Sequence, residues 1–108
     1  MSRLATQFGT RPQAITLAPH QAPVVWTLRV QCAEAWDAVK VEVSPETRVL
    51  DVKQAAMAQL LPDVDALESY VVKLRGIEVP REELSVQAAG AIDGSTLLIM
   101  SRRRRPVR

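Results

Sequence analysis

VKVEVSPETRVLDVKQAAMAQLLP, residues 39–62, changes its hydrophobic period once, and that change decides the fold. Val39, Val41 and Val43 alternate with Lys40 and Glu42, the period of two of a strand with one buried face. Ser44-Pro45-Glu46-Thr47 ends the alternation. Beyond it Val49, Val52, Ala56 and Leu60 recur at steps of three and four, with Asp51, Lys53, Gln54 and Gln59 supplying the wet side of a helix. Thr47 is the expected cap, its hydroxyl accepting an N–H of the first turn, and Pro62 stops the helix near Leu61. The apolar stripe of such a helix packs on a sheet.

Working outward, Trp26, Leu28 and Val30 alternate with Thr27, Arg29 and Gln31, so a first strand precedes residues 39–43 across a short polar break at Ala33-Glu34. Two adjacent strands predict a hairpin. Residues 1–23 hold Pro12, Pro19 and Pro23 and no sustained period, and they read as a flexible arm with order beginning near Val24. On the other side, Tyr70 to Leu74 resumes as a strand, Gly76 makes a turn, and Ile77 to Val79 is a short extended piece before Pro80. Ser85 is placed to cap a single helical turn over residues 86–89, closed by Gly90. Asp93-Gly94 is a turn signal directly before the last strand, Thr96 to Ser101. The order β-β-α-β-β-(short helix)-β describes an α+β domain with its helix on one sheet face.

With 108 residues the chain has room for one domain, and 47% hydrophobic with 24% charged residues excludes collagen-like, disordered and disulfide-scaffold classes. The net charge of +2 is unevenly placed. Residues 24–101 hold seven Lys or Arg against twelve Asp or Glu, a net −5, while Arg102, Arg103, Arg104, Arg105 and Arg108 form a basic tail over residues 102–108. A basic nucleic-acid-binding fold is therefore not expected, because that reading wants cations clustered on a folded face. Binding of nucleic acid or an anionic membrane through the tail alone is the alternative function, sequence-blind and sensitive to salt. The N-terminal residues contain no apolar run of the kind a secretory signal needs, so the cytoplasm is the default compartment. Eleven arginines against three lysines, with abundant Ala and Val, suit a GC-rich bacterial genome.

Catalysis needs a nucleophile with a base, a tuned acid–base pair or a metal with an open position. His20, the single histidine, lies in the arm, and Cys32, the single cysteine, has no histidine placed beside it; it reads as a small strand-end hydrophobe. Asp63 and Asp65 share a loop without the glycine or the length of a calcium-binding loop. Glu82-Glu83 beside Arg81 reads as a solvated turn. We expect no catalytic residue, no metal, no cofactor and no small-molecule substrate.

Three segments, VKVEVSPETRVLDVKQA, YVVKLRGIEV and LSVQAAGAIDGSTLLIM, resemble in this order the ubiquitin-like β-grasp family, over about residues 24–102. The resemblance implies a mixed sheet of four to five strands, the last inserted beside the first, with one main helix across one face. Conjugated modifiers and sulfur carriers of the family end in Gly-Gly, whereas this sequence ends in Arg-Pro-Val-Arg, so a non-conjugating member is implied. The small ubiquitin-like components of bacterial type VII secretion systems are similar in lacking Gly-Gly.

Strand phase supplies the candidate site. Leu97 and Ile99 have the phase of the core, so Leu98 and Met100 face outward, as do Val71, Lys73 and Arg75 on the third strand and Thr27, Arg29 and Gln31 on the first. The family holds partners on this face around a central aliphatic residue, which aligns here with Lys73. The resemblance thus implies a non-enzymatic adaptor that binds another protein through Arg29, Val71, Lys73, Leu98 and Met100, the partner bringing a carboxylate to the lysine or binding more loosely. Trp36, near the hairpin turn, is a second anchor candidate if exposed and a core residue if not.

Overall fold

The alternation at Trp26, Leu28 and Val30 builds β2 (Trp26–Cys32), and that at Val39, Val41 and Val43 builds β3 (Asp37–Val43). They pair antiparallel from Trp26 opposite Val43 to Cys32 opposite Asp37. The computed structural model describes residues 14–64 and 66–102. Leu28, Val30, Val41 and Val43 are fully buried, and Cys32 and Val39 complete the inner face of the hairpin. Across that face lies α1 (Val49–Leu60), presenting Val49, Val52, Ala56 and Met57. β4 (Tyr70–Leu74), β5 (Ile77–Glu78) and β6 (Thr96–Ser101) complete this part of the sheet. β6 runs parallel to β2 on one side and antiparallel to β4 on the other, and so joins the hairpin to β4. Val72, Leu74, Leu97 and Ile99 fill the core from these strands, while Val86 and Ala91 close it from the intervening turns.

Turn chemistry fixes the strand junctions. Arg75 and Gly76, both at positive φ (54° and 80°), form the two-residue hairpin turn that matches the twist of β4 and β5. Asp93 accepts the Thr27 N–H at 2.8 Å and the Gly94 N–H donates to the Thr27 carbonyl at 3.0 Å, tying the turn before β6 to the start of β2. Ser85 caps its turn as expected, its hydroxyl accepting the Ala88 N–H at 3.0 Å.

Three expectations are corrected. The first concerns the arm: β1 (Ala14–Thr16) lies within residues 1–23 and pairs parallel with β3, giving the sheet order β1-β3-β2-β6-β4-β5. The sheet therefore has six strands rather than four to five. Ile15 and Leu17 pack against the core, and the N–H groups of Leu17 and Ala18 both donate to the Glu42 carbonyl. Three residues are too few to display a period, so the strand was invisible as a pattern.

The second concerns Thr47, which does not cap α1. Its hydroxyl accepts the Ser44 N–H at 3.1 Å, and the Val49 and Leu50 N–H groups instead donate to the carbonyls of Leu84 and Glu82, at 2.9 and 2.8 Å. Orphan donors of the first turn are thus met by a remote loop.

The third concerns Lys53 and Glu82, both assigned to the wet surface. Lys53 is only 2% exposed; its Nζ donates to the Tyr70 carbonyl at 2.7 Å and to both carboxylate oxygens of Glu82 at 3.0 and 3.1 Å. Three donors meet three acceptors, which is what lets an ammonium group sit beside an apolar core. No helix among the described residues is long and apolar enough to cross a membrane.

Candidate protein-interaction face

With α1 on the inner face, the registers arrange the outer face in rows. Leu98 stands between Gln31 on β2 and Lys73 on β4; Met100 lies opposite Val71; Arg29 lies between Lys40 on β3 and Thr96 on β6. The phase expected for β6 holds, with Leu97 and Ile99 buried and Leu98 and Met100 half-exposed. Arg29, Lys73, Leu98 and Met100 are therefore brought together on one accessible face. Val71 points the same way but is only 6% exposed, so it contributes almost no surface to the patch. Its short side chain shares the face with the longer Met100 directly across and Lys73 two residues on, which leave it little opening.

Charge divides sharply over this body. Arg48 pairs with Asp51 at 2.9 Å, Lys53 with Glu82, and Arg81 with Glu83 at 3.0 Å, all away from the outer face. The Asp51 hydrogen bonds raise the Arg48 guanidinium above its ordinary value, and hydrogen bonds from its own backbone N–H and from Arg81 lower the Glu83 carboxyl. Arg29, Lys40 and Lys73 on the outer face have no ion-pair partner among the described residues. Glu42 lies two residues from Lys40 and accepts from the Thr16 hydroxyl at 3.1 Å; Glu78 stands opposite Lys73 on the edge strand and lies 3.8 Å from Arg102. A sheet face whose cations make no ion pair among the described residues is thus set on a net acidic body.

Trp36, left open between anchor and core by its position, is 93% exposed. A single-turn 3-10 segment, Ala33–Ala35, lifts it off the end of β2, and its backbone sits in the left-handed region at φ 55°, ψ 37°. Trp36 and Leu98 both border a cleft of about 550 Å³, together with Arg29, Gln31, Asp37 and Ala38. Cys32 reaches the cleft but is 1% exposed, and burial pushes its thiol up, which keeps it from acting as a thiolate nucleophile.

Of the basic tail, Arg102 is engaged with Glu78 and, at 3.4 Å, with the Glu68 carbonyl. Arg103, Arg104, Arg105 and Arg108 lie outside the described residues, as does Asp65. Among the described residues no group of three or more His, Cys, Asp or Glu side chains converges on a point that could hold a metal.

No family profile matches the sequence, and no curated protein matches it. Solved structures do. The ubiquitin-like domain of an Arabidopsis thaliana protein superposes with a TM-score of 0.62 at 15% identity, covering 82% of this chain and 89% of that one. Ubiquitin of Caldiarchaeum subterraneum gives 0.61 at 15% identity over 78% and 98%. The ubiquitin-like domain of Plasmodium falciparum Dsk2 gives 0.59 at 20% identity over 72% and 99%. The fold is the ubiquitin-like β-grasp, with β1 added at one edge of the sheet.

Proposed function

We propose that this chain is a non-enzymatic ubiquitin-like interaction domain, an adaptor that holds another protein non-covalently on the outer face of its sheet. The observation that carries the reading is the coincidence, on one face, of two partly exposed apolar side chains, Leu98 and Met100, with three cations that make no ion pair among the described residues, Arg29, Lys40 and Lys73. Docking would remove the aliphatic surface from water, at about 25 cal/mol per Å². The cations would steer an acidic partner and set its register. Lys73, beside Leu98 at the centre, resists desolvation unless a carboxylate meets it, so the same lysine that weakens attachment to neutral surfaces favours acidic ones. A buried, free Cys32 thiol accords with action in the cytoplasm.

The test is capture from cognate lysate by the wild-type chain and by Leu98→Ser and Met100→Ser. Loss of the captured protein with the melting temperature retained supports the reading. Equal capture by all three chains refutes it.

A further inference from the structure

The outer face has one large apolar side chain that the fold makes no use of. Trp36 is 93% exposed, although a core residue of its size would dominate packing. The turn beneath it is not loose. The Ser101 N–H at the end of β6 donates to both carboxylate oxygens of Glu34 at 3.2 Å, and the Trp36 N–H donates to the Ala33 carbonyl at 3.3 Å. An indole held this way has only two side-chain torsions left to order on contact, the reason Trp recurs as a binding anchor. It lines the 550 Å³ cleft together with Leu98. That volume is within the range of about 300–1,000 Å³ that ligand sites occupy.

Charge selects the occupant. Arg29 lines the cleft and Lys40 and Lys73 flank it; none of the three makes an ion pair among the described residues, and Glu78, opposite Lys73 in register, lies 3.8 Å from Arg102. Asp37, the acid at the tryptophan end, accepts the N–H of the next residue, Ala38, at 2.8 Å. We propose that Trp36 and Leu98 form the walls of a docking cleft for an acidic, aliphatic segment of a partner protein. Its leucine or isoleucine side chains pack between indole and Leu98, and its carboxylates meet Arg29, Lys40 and Lys73. This rests on the outer-face reading above and names the partner's chemistry.

The test uses the full chain and a phage-displayed library of random 12-residue peptides. Enriched peptides should combine Asp or Glu with Leu, Ile or Phe. Each should bind about thirtyfold more weakly to Trp36→Gly, the change a hot-spot side chain produces. Lys73→Glu, or amides in place of the peptide carboxylates, should weaken binding about tenfold or more. Glycine is at home at positive φ, so Trp36→Gly removes the anchor without threatening the fold. Peptides that bind Trp36→Gly normally but lose Leu98→Ser overturn the tryptophan wall and leave the outer face standing. Peptides indifferent to both variants overturn both readings. Enrichment of basic or neutral peptides, or no enrichment, overturns the acidic segment.

Discussion

Lys53 and Lys73 carry the same ammonium group to opposite sides of one sheet. On the inner side Lys53 is enclosed between α1 and β4 and satisfied by the Tyr70 carbonyl and the Glu82 carboxylate. On the outer side Lys73 stands between Leu98 and Glu78 and makes no ion pair among the described residues. A buried charge is tolerable only when its donors are all met, so the inner lysine fixes structure: it joins the middle of α1 to the start of β4 and to the 82–84 turn that also receives the first N–H groups of the helix. The outer lysine fixes nothing within the fold. One position is spent on architecture, the other remains available to a partner.

The widest gap between the two sides should appear when each lysine is removed. Lys53→Ala leaves Glu82 unpaired, and Glu82→Gln leaves a buried ammonium without its counter-charge; each should cost about 3 to 5 kcal/mol in urea unfolding. Lys73→Ala should stay within about 0.5 kcal/mol. Equal losses at the two lysines would end the distinction between the faces.

Neighbouring residues of β6 sharpen it. Ile99→Ala opens a cavity under α1 and should cost about 2 to 5 kcal/mol, whereas half-exposed Leu98→Ser should cost about 1 kcal/mol or less. Val71→Ser separates orientation from exposure. It points outward yet is closed over, so a hydroxyl there lacks water and should cost about 2 kcal/mol. A Val71 variant as mild as Leu98→Ser would mean that the outer face is more open than its side-chain packing indicates.

A truncation starting at Val24 tests the edge of the same sheet. We propose that residues 24–101 fold alone, since the main helix and five of the six strands lie within them, but the truncation removes β1 with Ile15 and Leu17 from the core margin. Two partly buried aliphatics should lower stability by about 2 to 3 kcal/mol, read as a shifted thermal midpoint. Complete unfolding would make β1 part of the nucleus of the domain, and an unchanged midpoint would make it dispensable.

Local patterns made most of the fold legible. The switch of period within residues 39–62, the Gly76 and Gly94 turns and the phase of β6 each depend on residues a few positions apart, and each is found in the structure. What escaped depends on partners far along the chain. Lys53 meets acceptors 17 and 29 residues away, and α1 takes its first caps from carbonyls of the 82–84 turn. One signal for Lys53 was nevertheless present: it stands four residues from Val49 and four from Met57, so it belongs to a buried stripe of the helix. Of the candidate face, the strand phase placed Leu98, Met100, Lys73 and Arg29 on the same side of the sheet, as the registers do, whereas the closure over Val71 and the exposure of Trp36 are not encoded by a period of two.

At Trp36 two opposing effects are expected to nearly cancel, and the smallness of the net change is the point. An L-residue in the left-handed region costs roughly 1 to 2 kcal/mol, and glycine at φ 55° relieves it. Against that relief, Trp36→Gly loosens the unfolded chain by up to about 1 kcal/mol. The indole, 93% exposed, gives up almost no burial when removed. These terms nearly cancel, so Trp36→Gly should change unfolding stability by no more than about 1 kcal/mol in either direction. A loss above about 2 kcal/mol would mean that in solution the indole is covered by a further part of the chain or by a second copy. The cleft beside Leu98 would then be already occupied, and the outer face would be as structural as the inner one.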